Sequence, residues 1–235
     1  MAHLTGTERA RYVQGMFSRI ARRYDLMNRL MTAGQDVRWR REVVRRAGIP
    51  ESGCLLDLGA GTGDLAWETR RQHPGSQPVA ADFTLEMMRV GKSRPNFPSL
   101  DWSAADALYL PFLTETFDAV ISGFLLRNVV DVPQALSEQY RVLKPGGRIV
   151  VLDTTQPTRN LLSPLINFHL HVIIPFLGRI IAGASEAYTY LPESTEAFLQ
   201  AEQLAAFFSQ AGFKEVGYRR LMFGTVAIHW GRKEP

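Results

Sequence analysis

The sequence predicts an α/β fold built on a doubly wound, mostly parallel seven-stranded sheet of the Rossmann-like kind. Short apolar runs typical of buried strands alternate with segments of helical periodicity, as in parallel sheets with crossover helices. The first run ends in a cluster of glycines that opens a helix. The chain has 235 residues, of which 46% are hydrophobic, enough for one full-sized core.

Residues 7–47 are predicted to form two helices that precede the sheet. Apolar side chains recur there at helical spacing, namely Met16, Phe17, Ile20, Tyr24 and Met27. A break is expected from Asn28 to Gln35 around Gly34, and the second helix should run from Val37 to Ala47. The run Gly48-Ile49-Pro50 ends it.

The remaining elements alternate along the chain. Strands are predicted at 54–59, 78–82, 100–104, 117–123 and 148–153, with helices at 64–72, 85–92 and 132–143, the last closed by the Lys144-Pro145-Gly146-Gly147 turn. A last helix at 201–211 should precede two closing strands at 213–220 and 221–230, which we expect to form an antiparallel hairpin.

We expect a single domain, 1–235. It comprises a helical cap (1–50), a cofactor-binding core (51–158), an apolar helical lid (159–200) and a C-terminal helix with strands (201–235). Residues 161–178 contain no Asp, Glu, Lys or Arg, but prolines, histidines and a glycine interrupt the run. A lid over an apolar ligand, a membrane-surface contact or a plain core helix fits this segment better than a membrane span.

The single cysteine, Cys54, excludes an internal disulfide and any metal site built on cysteine pairs. Together with an N-terminus that lacks a signal-peptide core, it indicates a cytoplasmic protein. Residues 1–50 carry eleven arginines against four acids. This excess could meet phosphates of lipid or nucleic acid, or could simply form a solvated helical face.

The motif with the most specific chemistry is the glycine loop Asp57-Leu58-Gly59-Ala60-Gly61-Thr62-Gly63-Asp64. Its third glycine comes one position too early for a dinucleotide fingerprint, and the chain has no phosphate-binding G-x-x-x-x-G-K-[ST] loop. Glycines let the backbone approach a ligand closely. The carboxylate of Asp57 would repel a pyrophosphate and attract a cationic ligand with an amino-acid tail.

Two more carboxylates end the next two strands. Asp82 can accept both hydroxyls of a ribose, while Asp106 can accept from an adenine amino group, with backbone contacts from Ala107. Alternatively, both are helix N-caps. With Thr62, Phe83 and Gly123 as further candidate cofactor-binding residues, the set resembles a class I S-adenosylmethionine methyltransferase. No metal site is expected.

A narrower resemblance covers nearly the whole chain. The strings FSRIARRYDLMNRLMTAGQDVRWRR (17–41), FLLRNVVD (124–131), YRVLKPGGRIVVLD (140–153) and EAYTYLPEST (186–195) resemble the UbiE/MenG family of quinone C-methyltransferases. The resemblance implies S-adenosylmethionine-dependent methylation of a ring carbon of a prenylated quinol, such as demethylmenaquinol or the benzoquinol of the ubiquinone pathway. Such a lipophilic acceptor suits a transient contact with the inner face of the membrane.

Candidate catalytic residues follow from the same strings. Arg127 stays protonated, so it can stabilise a developing phenolate or orient a water, and Asn128 can hydrogen-bond a quinol oxygen. Tyr24, Asp25 and Asn28 are candidates to close the pocket from the N-terminal helices, and Tyr188 and Tyr190 are candidates to contact the ring or cap the cofactor. The structural alternatives are an Arg127 paired to an acid and aromatic side chains that only pack.

The sequence departs from the family's usual residues around the acceptor side. Asp36 stands where the family usually has His, Gly123 where it has Ser, and Asp153-Thr154 where it has Glu-Phe; the stretch after Ser194 also differs. These changes leave open another small hydrophobic acceptor that is methylated on carbon or oxygen. We expect no nucleic-acid partner, because the arginines are not interleaved with aromatic side chains. A homodimer is left open.

Overall fold

The computed structural model describes residues 6–95, 99–156, 164, 172–173 and 185–235, which form one seven-stranded sheet with flanking helices. The strands are β1 (Cys54–Leu58), β2 (Gln77–Asp82), β3 (Asp101–Ala104), β4 (Phe117–Gly123), β5 (Leu143–Thr154), β6 (Lys214–Leu221) and β7 (Val226–Arg232). Their order across the sheet is β3-β2-β1-β4-β5-β7-β6. The first five pair in parallel, and β7 is antiparallel to β5 and β6. The predicted doubly wound, mostly parallel fold is confirmed.

Helices precede, connect and follow these strands. They are α1 (Gly6–Ile20), α2 (Tyr24–Met31), α3 (Asp36–Ala47), α4 (Asp64–Gln72), α5 (Leu85–Lys92), α6 (Val132–Val142), α7 (Ser185–Glu196) and α8 (Ala201–Gln210). Short 3-10 turns occupy Ala21–Arg23, Leu126–Asn128 and Met222–Gly224. Within the described ranges, no helix combines the length and the apolar character that crossing a bilayer requires.

Both faces of the sheet are buried, because strand side chains point alternately to two separate cores. One core joins Leu56, Val120 and Ile149 to α6 and α8 through Leu136 and Phe208. The other core joins the intervening strand residues to α3 and α4, and contains Leu55, Ile121, Val150, Trp39, Val43 and Leu65. This double burial explains why the central strands are nearly continuous apolar runs in the sequence.

The strand order reverses between β1 and β4, and this reversal creates the crevice that ligands occupy in such sheets. The last residue of β1, Leu58, pairs with Ser122 of β4. The next residues of the two strands are Gly59 and Gly123. The sheet therefore brings the glycine loop and the segment containing Arg127 to the same edge.

The N-terminal region contains three helices rather than the two that were predicted. A 3-10 turn separates α1 from α2, and α2 continues to Met31, so the break covers only Thr32–Gln35. Ala33 and Gly34 adopt left-handed backbone conformations there, with φ of 49° and 76°. The prediction placed the break too early because Asn28 is usually unfavourable in helices, whereas here it is buried inside α2.

The closing hairpin is confirmed, but its strands start and end later than predicted. Leu221 belongs to β6, and the turn is made by Met222, Phe223 and Gly224, all with positive φ. The prediction missed this turn because Met and Phe seldom adopt left-handed conformations. Likewise, the Lys144–Gly147 segment does not end the preceding helix as a separate turn but lies within β5, beside a register shift.

The lid predicted at 159–200 lies largely outside the described residues. Of that segment, residues 164 and 172–173 and helix α7 with the residues after it are described. The side chain of Tyr188 also lies outside the described part of the chain, whereas Tyr190 is buried.

Gly91 of α5 packs against the glycine loop, and substituting it tests how tightly the helix and the loop are packed. A Cβ on Gly91 would overlap the Trp102 ring and lie 2.8 Å from the Thr62 carbonyl oxygen, so Gly91→Ala should lower the free energy of unfolding by about 1–3 kcal/mol through overpacking. The matched variant Gly15→Ala, in α1, meets only ordinary contact at 3.6 Å and should raise that free energy by about 0.5–1 kcal/mol. Denaturant unfolding measures both; equal effects would contradict the tight contact.

Candidate active site

The glycine loop presents its backbone to two adjoining cavities. The main cavity has a volume of about 320 Å³ and the loop cavity about 40 Å³, and Gly59, Gly61 and Gly123 line both. Gly59 and Gly61 have φ of 67° and 59°, and a Cβ on Gly59 would lie 2.8 Å from the Leu125 side chain. Side chains at these positions would therefore be strained, and the bare backbone is left facing the cavities.

Asp82 joins the glycine loop to the end of β2. Its Oδ2 accepts a hydrogen bond of 2.7 Å from the Gly61 N–H, and its Oδ1 accepts one of 2.6 Å from the Thr84 N–H. Burial raises the pKa of this carboxyl group, while the two backbone donors oppose the rise. Each oxygen keeps a further lone pair. Since Asp82 also lines the main cavity, it can accept hydroxyl groups of a ligand there.

The outer end of the main cavity is lined by Phe83, Asp106 and Ala107. Asp106 is exposed, and its Oδ1 accepts a hydrogen bond of 2.9 Å from the Leu108 N–H. It therefore stabilises a turn and still lies at the cavity; it is not a helix N-cap, because a turn and no helix follows it. Helix α1 covers this end, because Gln14 Nε2 donates to the Phe83 carbonyl at 2.9 Å.

Asp57 places a buried carboxylate in the lining of the loop cavity. Its Oδ2 accepts from the Ala66 N–H at 2.8 Å, whereas its Oδ1 is buried without a hydrogen-bond partner among the described residues. Burial raises the pKa of Asp57 to about 7. An unsatisfied buried oxygen is costly unless a ligand completes its hydrogen bonding. The arrangement fits the ammonium group of an amino-acid tail.

The other predicted cofactor residues differ in their placement. Thr62 lines the loop cavity, but its hydroxyl donates to Asp25 Oδ1 at 2.7 Å. Gly63 lines none of the cavities described here; with φ of 86°, it makes room for the Trp102 ring, which a Cβ would approach to 2.9 Å. At Gly123 a Cβ would lie 3.1 Å from Leu65 Cδ1.

A chain of ion pairs fastens the N-terminal helices to the glycine loop. Arg94 pairs with Asp25 of α2 at 3.4 Å and with Asp64 of α4 at 2.6 Å. Arg40 of α3 pairs with Asp64 at 2.5 Å and with the buried Asp36 at 3.0 Å. The sequence predicted Asp25 at the pocket but did not point to Asp64, Arg94 or Arg40 as site residues. Only the spacing of four residues between Asp36 and Arg40 signals a pair in advance.

A third, inner cavity of about 30 Å³ lies between α1, α2 and the turn that follows β4. Its lining combines apolar side chains with the hydrogen-bonding groups of Tyr24, Asn28, Arg127, Asn128 and Tyr190. Tyr24 lines all three cavities and so connects them. Burial raises the pKa of its hydroxyl.

Arg127 is paired to an acid, which was the structural alternative for this residue. Its Nη1 lies 2.9 Å from Asp153 Oδ1, and both side chains are buried. Asp153 Oδ2 also accepts from the Arg127 N–H at 3.3 Å. The Arg127 Nε is buried without a hydrogen-bond partner among the described residues. Arg127 therefore both pairs with an acid and lines the inner cavity. Its partner, Asp153, was not predicted as a site residue.

Asn128 and Tyr190 are joined to each other. The Tyr190 hydroxyl donates to Asn128 Oδ1 at 3.2 Å, and Asn128 Nδ2 donates to the Phe124 carbonyl at 2.9 Å. The Tyr190 ring packs edge-on against Tyr12 of α1, with ring centroids 5.9 Å apart. The structure therefore brings Tyr24, Arg127, Asn128 and Tyr190 to one place from three distant parts of the sequence.

Comparisons with known proteins agree with this geometry. Residues 5–233 match the model of the ubiE/COQ5 methyltransferase family. The chain belongs to this family. It is 51% identical over 221 residues to a protein of Desulfotalea psychrophila named ubiquinone/menaquinone biosynthesis C-methyltransferase UbiE, covering 94% of this chain and 90% of the relative. It is 45% identical over 218 residues to the demethylmenaquinone methyltransferase of Thermus thermophilus, covering 92% and 99%.

Among solved structures, the chain resembles phosphoethanolamine N-methyltransferase 2 of Haemonchus contortus, which was solved with phosphomonomethylethanolamine and S-adenosylhomocysteine. The TM-score is 0.64 at 16% identity, covering 84% of this chain and 53% of that one. This likeness supports the fold, and family membership makes the chain an S-adenosylmethionine-dependent methyltransferase. The backbone cradle, Asp82 and the unsatisfied Asp57 oxygen fit that cofactor.

The described part of the chain contains no group of three or more His, Cys, Asp or Glu side chains arranged to hold a metal ion. None of the contacts described above involves a nucleophile placed beside a general base.

The raised pKa of Asp57 predicts a pH-dependent gain in stability for Asp57→Asn in the cofactor-free protein. Because the folded-state pKa of about 7 exceeds the ordinary value of 3.8, the carboxyl group destabilises the fold increasingly as pH rises from about 4 to 7. The variant should therefore gain roughly 2 kcal/mol more, relative to wild type, at pH 8 than at pH 5.

Thermal unfolding at the two pH values measures this difference. Asp106→Asn, at an exposed carboxylate, is the matched control and should show no such dependence. Asp57→Asn should also bind S-adenosylmethionine more weakly at pH 8. An equal gain at both pH values would contradict the buried, unsatisfied state of Asp57.

Proposed function

We propose that the enzyme C-methylates the ring of a prenylated quinol, with demethylmenaquinol, or the benzoquinol of the ubiquinone pathway, as the acceptor. The observation that supports this most directly is the mixed lining of the inner cavity. Arg127, Asn128, Tyr24 and Tyr190 supply polar groups for ring oxygens, and the apolar lining residues are Met16, Phe17, Ile20, Met27 and Met31. Because Phe17, Tyr24 and Asn128 also line the main cavity, the ring would lie where the two cavities meet. The names of the relatives point to the same acceptors.

The loop and main cavities would hold the cofactor along the carboxyl edge of the sheet. S-adenosylmethionine supplies a methyl group on a positively charged sulfur, already activated for displacement. We infer that Asp57 receives its ammonium group, Asp82 its ribose hydroxyls, and Asp106 with Ala107 its adenine, next to Phe83. Gly59, Gly61 and Gly123 would let the backbone approach it closely.

Arg127 would stabilise the acceptor in its reactive form. A quinol becomes a carbon nucleophile when a ring hydroxyl loses its proton, and a fixed guanidinium next to that oxygen favours the anion. Asp153 orients the guanidinium through Nη1 and leaves Nε available. The ring carbon gains the methyl group and loses its hydrogen as a proton, and the phenolate oxygen recovers its own, so one proton is released overall.

Tyr24 and Asn128 would orient the ring rather than take its proton. Burial raises the pKa of Tyr24, so its hydroxyl stays neutral and acts as a hydrogen-bond donor. Helix α1 would keep water out, since Arg9 Nη2 donates to the Arg127 carbonyl at 2.8 Å and Gln14 holds the Phe83 carbonyl. Alignment and exclusion of water are the main requirements of a direct displacement.

Such an acceptor would place the enzyme in the cytoplasm at the inner face of the membrane, because a prenylated quinol partitions into lipid. The excess of arginine in residues 1–50 suits an anionic surface. A second candidate function is methylation of another small hydrophobic acceptor. It is favoured by Asp153, which pairs with Arg127 where the resembled family usually carries the longer Glu.

A panel of acceptors tests the proposed function. With methyl-labelled S-adenosylmethionine, label should enter demethylated quinols with short prenyl chains far faster than catechols, and RNA should remain unlabelled. Mass analysis should place the methyl group on carbon. Preferential labelling of catechol oxygen would favour the second candidate, and labelling of RNA alone would exclude both.

Arg127→Lys tests the role of the guanidinium while retaining the positive charge opposite Asp153. The turnover number should fall by about 10- to 100-fold because the planar donor is lost, with cofactor affinity changed less than about twofold. Arg141→Lys is the matched control, as Arg141 also pairs with an acid, Glu138 at 2.7 Å, but lines none of the three cavities. Steady-state kinetics and calorimetry separate the two effects. A larger loss of cofactor affinity than of turnover would remove Arg127 from the acceptor site.

A further inference from the structure

Helix α2 has two apolar faces, one of which points to solvent. Its inner face buries Met27 and Met31. On its outer face, Leu26 and Leu30 are 53% and 41% exposed. Residues four apart lie next to each other on a helix, so these leucines form one exposed apolar pair.

Exposed arginines surround this pair. Arg22, in the 3-10 turn that precedes α2, and Arg29, next to Leu30 in the chain, are both exposed. The four acids of residues 1–50 offset only part of the charge of the eleven arginines. Asp36 pairs with the exposed Arg29 at 3.1 Å, and Asp25 and Glu42 pair with Arg94 and Arg46. The exposed arginines of the three cap helices are Arg11, Arg19, Arg22, Arg23, Arg29, Arg38, Arg41 and Arg45.

We propose that Leu26 and Leu30 on the outer face of α2, together with Arg22 in the turn before it, dock on an anionic lipid bilayer. Leucines enter the boundary between headgroups and acyl chains, while arginines bind lipid phosphates, the combination by which amphipathic helices lie on membranes. Nucleic acid would match the charge, but nucleic-acid interfaces are more polar and would gain little from two exposed leucines.

Docking through α2 would bring the cavities close to an acceptor dissolved in the bilayer, an inference that rests on the proposed function. Tyr24, on the same helix, lines all three cavities. Docking through Leu26 and Leu30 therefore places a single helix between the bilayer and the cavities. A quinol whose prenyl chain remains in lipid would have only a short distance to travel.

Vesicle co-sedimentation tests the surface directly. Vesicles of phosphatidylglycerol and phosphatidylcholine should bind the wild-type protein, and phosphatidylcholine alone or high salt should weaken binding. The double variant Leu26→Ser/Leu30→Ser should bind the mixed vesicles roughly tenfold more weakly. Arg22→Gln should weaken binding about fivefold on the mixed vesicles and leave binding to phosphatidylcholine unchanged. Leu113→Ser is the matched control, because Leu113 is 83% exposed on another surface, and it should bind like wild type.

Several outcomes would overturn the proposal. They are wild-type protein that stays in solution with the mixed vesicles, a double variant that binds like wild type, and equal losses in Leu113→Ser. Conversion of a dimer to a monomer by the double variant, with vesicle binding unchanged, would assign the face to a second copy of the chain. Tighter binding of duplex DNA than of vesicles, lost with Arg22→Gln, would assign it to nucleic acid.

Methyl transfer to a water-soluble, short-chain quinol separates this proposal from the proposed function. The double variant should keep wild-type activity in that assay and lose activity only with quinol embedded in vesicles. Quinol methylation without vesicle binding would overturn the docking surface alone. Vesicle binding without quinol methylation would overturn the proposed function and leave the docking surface intact. An unchanged melting temperature of the double variant shows that it is folded.

Discussion

The carboxyl edge of the sheet at β1 and β2 depends on the two backbone hydrogen bonds accepted by the Asp82 carboxylate. One comes from Gly61 in the loop after β1 and the other from Thr84 in the turn after β2. Together with the hydrogen bond of 3.0 Å from the Ala60 N–H to the Ala81 carbonyl, this side chain fixes the spacing of the two loops. Burial raises the free-energy cost of keeping this carboxylate charged, and the two backbone donors offset part of that cost. The carboxylate and the two loops therefore stabilise each other. The walls of the main cavity follow from that spacing.

Besides the apolar packing of α3 on the sheet, a chain of ion pairs attaches the cap helices to this edge. Asp25, Arg94, Asp64, Arg40 and Asp36 alternate in sign from α2 through α4 to α3. Ion pairs that are partly shielded from water have a directional geometry, so they also fix the angle at which α2 presents Tyr24 to the cavities. In the resembled family a His usually stands at the position of Asp36, which means that this chain closes the network with a carboxylate of its own.

Of the proposed site, the cofactor half is easier to predict from the sequence than the acceptor half, and the reason is physical. Asp57, Gly61 and Asp82 are each placed by the strand that precedes them, and strand ends can be identified from local apolar runs. This approach fails for Gly63. The residue leaves room for the Trp102 ring, a tertiary contact that no local sequence pattern reveals. The acceptor half is assembled from α2, the turn after β4 and α7. The pairing of Arg127 with Asp153 depends on tertiary packing, so periodicity could not decide it.

The place of β7 within the sheet has a consequence for the order in which the molecule assembles. β6 pairs only with β7, yet β7 follows it in the chain and lies between β6 and β5. During synthesis on the ribosome, the five parallel strands can associate as soon as Thr154 has emerged, whereas β6 must wait as an unpaired ribbon until its successor arrives. The strands that border the crevice between β1 and β4 can thus pair before the last two strands exist, and until then the unpaired edge of β5 is open to pairing with another chain.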